Sequence, residues 1–194
     1  MLIFSVISTI LLSLVRTTMA LLSRSKSFLR EPTTWLVSHQ KMLRLTDELL
    51  ALASFSFSIS LVWLLVLSGP KQVITLAVTG VSLLYCNIAW IGIVSLLGNL
   101  VYPVNGLKTL ENGNYLTTFL QIYSRMHLAD LALGILTLSL AGLSIELPIQ
   151  LMGYASGFFQ IIFTYYSRSI KAKSYIFSVS IWTIWMVIFF LIYH

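Results

Sequence analysis

Long apolar runs, broken by short polar intervals that carry proline or glycine, set the pattern of this chain. The run over 131–166 is 36 residues long and holds one charged side chain, Glu146, close to Pro148. The run over 49–102 repeats the arrangement around Lys71, next to Pro70. A bilayer core of about 30 Å takes roughly 20 helical residues per crossing. Each run therefore reads as two spans joined by a tight turn. In lipid every unpaired backbone group costs several kcal/mol, which leaves helices or closed barrels as the spanning structures.

Six apolar segments follow, at 1–22, 49–68, 73–101, 129–147, 149–166 and 175–193. They predict an all-α polytopic membrane bundle of about six transmembrane helices in a single domain, 1–194. Segment 1–22 invites comparison with a signal peptide, which carries positive charge ahead of its apolar core. Here Arg16, Arg24, Lys26 and Arg30 all come late or after it. The segment reads as a retained helix that enters the membrane N-terminus first. Segment 73–101 exceeds one crossing and is expected to tilt or project.

Two stretches between the spans keep helical spacing. Trp35/Leu36, Met42/Leu43 and Leu49/Leu50 recur seven residues apart, on one face. Leu116, Phe119, Leu120, Tyr123 and Met126 do the same further on. Both stretches, 34–48 and 115–128, are expected as interfacial amphipathic helices that run into the next span. Pro32-Thr33-Thr34 is a start signal and Asn112-Gly113-Asn114 a turn signal. The segment Lys41–Asp47 aligns on Arg125–Asp130 with one gap, a hint of a parallel internal repeat.

Composition sharpens this picture. The chain is 58% apolar and 9% charged, against about 25% charged in a soluble domain, which excludes an ordinary globular enzyme. Lys and Arg number twelve against six Asp and Glu. They lie between the apolar runs, so they speak for orientation and anionic lipid, not for nucleic acid. Connections 23–48, 102–128 and 167–174 hold ten of them, and the alternate connections hold Lys71 alone. The basic side is expected to face the cytoplasm, stroma or matrix, with both termini opposite. Arg24, Lys26 and Arg30 are expected at lipid head groups.

Candidate chemistry is sparse. Cys86 is the one cysteine and lies inside an apolar run, so no intrachain disulfide and no Cys-rich metal site is expected. There is no HExxH, no His/Cys cluster and no nucleotide-binding glycine loop. No cofactor and no metal is expected. Gly153-Tyr-Ala-Ser-Gly157 is a GxxxG motif, with Gln160 and Thr164 continuing its face. It suits helix packing, either within the chain or through self-association. Ser54 and Ser58 make a second small-residue face in the 49–68 span. Asn87 is the amide deepest in a span and must find a partner. Asp130 stands at the mouth of the 129–147 span, with His127 three residues before it and Arg125 nearby. An acid there is a functional candidate, and also an ordinary helix pair with His127. Glu146 is expected to cap the following helix.

Three functional classes remain. The leading one is a non-catalytic accessory or structural subunit of a larger membrane complex. A small transporter or membrane-embedded substrate-binding component would need a polar cavity near Asn87 and Gln160. A lipid-modifying enzyme would need Asp130, His127 and Arg125 in one cleft.

Overall fold

The computed structural model describes residues 1–22, 31–68, 73–102, 112–164 and 172–193. Six helices account for nearly all of them: α1 (Leu2–Leu22), α2 (Pro32–Ser68), α3 (Val73–Val101), α4 (Asn112–Leu143), α5 (Leu147–Ile162) and α6 (Ala172–Tyr193). No strand occurs among the described residues. The fold is an all-α helical bundle. Five of the helices are long and apolar enough to cross a membrane, and the protein is an integral, multi-pass membrane protein. Arg24, Lys26 and Arg30, expected at head groups, lie outside the described residues, as do Lys71, Lys108, Arg168 and Lys171.

Segment 34–48 lies in the first half of α2, and 115–128 in that of α4, each continuous with the apolar half that follows. No glycine or proline falls between Thr33 and Ser68, so nothing interrupts the hydrogen-bond ladder. The seven-residue face of α2 runs its whole length: Leu36, Leu43, Leu50, Phe57 and Leu64 are all buried. At about 1.5 Å per residue, the 37 residues of α2 reach well beyond one bilayer core. The projecting halves pack on the bundle, where Trp35 meets Phe119 edge-on at 5.6 Å between centroids.

The fifth apolar segment, 149–166, departs from expectation in length. α5 has 16 residues and ends at Ile162, where Phe163 leaves the helix with φ −98° and ψ 40°. That is about 24 Å of helix, short of the core thickness. Its start is set by Pro148, which lacks an N–H and so suits a first turn. Glu146 takes the N-cap position with extended backbone, but its side chain makes no capping hydrogen bond.

The helices pack in chain order, and α6 closes the ring by packing on α1. Paired contacts show each tested neighbour antiparallel. Ser58 with Asn87 and Arg44 with Val101 set α2 against α3. Thr79 with Ser139 and Cys86 with Ala129 do so for α3 and α4. The centre is filled by aromatic rings: Phe57 of α2 touches Trp90 of α3 and both Trp182 and Phe190 of α6.

Candidate functional site

α1 is inside out. Its lipid-facing side shows Ile3, Ile7, Ile10 and Leu14, whereas Ser5, Ser8, Thr9, Ser13 and Arg16 are buried. The hydroxyls mostly answer to their own helix, Thr9 to the Ser5 carbonyl and Ser13 to that of Thr9. Arg16 has no such local option. It lies six residues from the end of α1, roughly 9 Å inside that end by helical rise, and points across the ring.

The partner is Asp130 of α4. Arg16 Nη2 donates to Asp130 Oδ1 at 2.7 Å, with both side chains at or below 5% exposure. The same nitrogen donates to Gln160 Oε1 of α5. Gln160 Nε2 passes a hydrogen bond to Ser178 Oγ of α6 at 2.7 Å, and the Tyr175 hydroxyl donates to Asp130 Oδ1 at 3.3 Å. The guanidinium also lies near two rings of α6, 5.2 Å from Trp182 and 6.0 Å from Tyr175, close enough for cation–π attraction. Four helices thus meet in one polar layer. In lipid such a layer is sustained only when opposite charges and hydrogen bonds answer each other.

Periodicity explains why these side chains meet. On α4, Met126, Asp130, Leu133 and Thr137 share a buried face. On α5 the GxxxG face carries Gln160 inward. Gly157 lets α4 approach so closely that a β-carbon there would lie 2.9 Å from the Gly134 carbonyl oxygen, and one at Gly153 would collide with Ala141 and Trp185. Both glycines are therefore already engaged inside the chain, on α4 and α6.

The other residues singled out from the sequence lie apart from this layer. Asn87 joins α3 to α2: its Oδ1 accepts from Ser58 at 2.9 Å and its Nδ2 donates to the Leu83 carbonyl. Ser54 bonds the Ala51 carbonyl of its own helix. His127 Nδ1 lies 2.8 Å from Thr164 Oγ1, just beyond α5. Arg125 leans the other way, its guanidinium over Gly92 of α3. Asp130 is 2% exposed, and so is not the wet acid of a helix mouth. Its ion-pair partner is Arg16, a residue that reads in sequence only as a topology charge. The one available signal is that a lone arginine sits inside an apolar run.

A second polar group gathers where α2 passes the end of α3. Arg44 Nε and Gln40 Nε2 both donate to the Val101 carbonyl, at 3.0 and 3.3 Å, which answers a carbonyl left open at a helix C-terminus. Tyr102 donates to Glu48 Oε1 at 2.5 Å, and that bond holds its phenol above the usual range. Asp47 is buried beside Gly98, and its Oδ1 has no hydrogen-bond partner among the described residues.

Among the described residues no group of three or more His, Cys, Asp or Glu side chains converges as a metal site would require. No family model matches this chain, nor does any curated protein or solved structure.

Proposed function

We propose that this protein is a non-catalytic integral membrane protein that serves as a structural subunit of a larger membrane assembly. One observation carries the reading: the polar side chains that a ligand would use are engaged by other parts of the same chain. Asn87 is held by Ser58, Gln160 by Arg16 and Ser178, Asp130 by Arg16 and Tyr175, and His127 by Thr164. A substrate chamber would leave such groups facing a shared space. Arg125 and His127 lean toward α3 and α5, on different sides of α4, which weighs against a lipid-modifying cleft. In this reading Gly153 and Gly157 serve the chain's own packing, and partner subunits meet the lipid-facing sides. The basic connections face the cytoplasm, stroma or matrix and contact anionic lipid, with both termini opposite.

The test is native electrophoresis of the protein, gently solubilised from its own membrane, with mass spectrometry of the band. Comigration with fixed partners is expected. Migration as a monomer or dimer of the 21.8 kDa chain overturns the reading. Orientation is checked with Cys86→Ser chains carrying either Lys41→Cys or Tyr193→Cys. An impermeant maleimide should reach the two from opposite sides.

A second reading, a small transporter, is favoured by the Arg16–Asp130 pair, because ionisable residues at membrane depth mark ion and substrate paths. It predicts solute uptake by liposomes holding the purified chain alone, and loss of that uptake in Asp130→Asn.

A further inference from the structure

Arg16 is 4% exposed, and its Nη1 has no hydrogen-bond partner among the described residues. A guanidinium carries five N–H donors, and a buried donor left unmet costs the full desolvation of that group. Beside it lies a small, partly open space bounded by Val15 and Met19 of α1, Leu50 of α2, Trp90 and Ile93 of α3, and Met126 and Ala129 of α4. Arg16 and Asp130 complete the lining and are its two charged members. Its volume is about 10 Å³, near the threshold of roughly 10–15 Å³ at which a cavity holds one water molecule.

We propose that this space is a binding site for a single water molecule, which accepts from Arg16 Nη1 and has Asp130 as the acceptor for its own proton. Three arguments fix the ligand. The space is too small for a polyatomic anion. Arg16 and Asp130 already neutralise each other, so an added charge would be unbalanced in a low-dielectric interior. Two charged walls also supply the partners that a stable internal water needs, at least two. The site makes the central pair a hydrated one, with an exchangeable proton carrier between α1 and α4. It is independent of whether the chain acts as a subunit or as a transporter.

The test is hydroxyl-radical footprinting by X-ray radiolysis of the full chain in lipid nanodiscs, read by mass spectrometry. Bound water generates radicals in place, and methionine traps them efficiently. Met19 and Met126 line the site and are 2% and 4% exposed, while Met186, at 0%, is buried without lining it. Met19 and Met126 should oxidise severalfold faster than Met186. Arg16→Met should bring them down to the Met186 rate. Ala129→Val keeps the ion pair but fills the space, and should do the same should Arg16→Met fail to fold. Wild-type Met19 and Met126 reacting as slowly as Met186 overturns the proposal. So does undiminished labelling in Ala129→Val.

Discussion

The α2–α3 and α4–α5 hairpins begin alike and finish differently. In α2 the basic Arg44 precedes the buried Asp47 by three residues; in α4, His127 precedes the buried Asp130 by the same interval. Each basic side chain holds the far end of the next helix, Arg44 at Val101 and His127 at Thr164. The acids then part ways. Asp130 meets Arg16 and Tyr175, whereas Asp47 lies beside Gly98 with one oxygen unmatched among the described residues. The seams differ as well. α2 and α3 share a Ser58–Asn87 hydrogen bond, while α4 and α5 meet through Gly134 and Gly157. Local sequence sets the shared part. A third element, α1, completes one acid and not the other.

The sharpest way to break this comparison is to neutralise each acid. Asp130→Asn leaves the Arg16 charge buried and alone, which costs about 3–5 kcal/mol when a buried pair is broken. The expected readout is a steep fall in the thermal midpoint of the detergent-solubilised protein. Arg16→Met combined with Asp130→Leu should recover most of the loss, since an apolar pair of similar volume is often neutral or better. A double variant no better than Asp130→Asn would refute the charge account.

The glycine seam comes next. Gly157→Ala puts a methyl group against the Gly134 backbone oxygen and the Leu138 side chain. Overpacking of this kind costs about 1–3 kcal/mol, measurable as unfolding free energy in SDS titrations. Gly80→Ala on α3 meets nothing within 4 Å and should leave stability unchanged or slightly raised. Similar losses at both positions would remove the distinction between the seams.

The hydrogen-bonded seam should be weaker. Interhelical hydrogen bonds in membranes contribute about 0.6 kcal/mol on average. A double-mutant cycle of Ser58→Ala and Asn87→Ala should give a coupling of that order. Coupling of zero would mean that the contact is incidental. The smallest effect is expected at Asp47→Asn, which removes a charge that has no matching cation among the described residues and should cost nothing. A loss as large as that of Asp130→Asn would reveal a cation supplied from outside the described residues.

Much of the architecture was legible in the chain. Runs such as 73–101 have the length and apolar character that lipid demands, and helices are the economical answer to the backbone problem there. The inward face of α2 was visible as the seven-residue recurrence of Leu36, Leu43 and Leu50. The short α5 was harder, because nothing in the apolar run over 149–166 distinguishes Ile162 from a mid-span residue. The central layer was only half visible. Asp130 and Gln160 stood out as polar groups in apolar surroundings, but local spacing offered His127 to Asp130 and nothing to Gln160. Arg16 joins them from 114 residues away, and sequence spacing carries no signal for a pairing across the ring.

That separation also has a meaning in time. A ribosome adds roughly 5–20 residues per second, so the arginine of α1 emerges on the order of ten seconds before the acid that will neutralise it. During that interval α1 must hold a positive charge in or near the bilayer on its own. Its position, little more than a turn and a half from the helix end, lets the long side chain reach back to the water interface. α1 is therefore provisional, and its depth is settled only when α4 arrives.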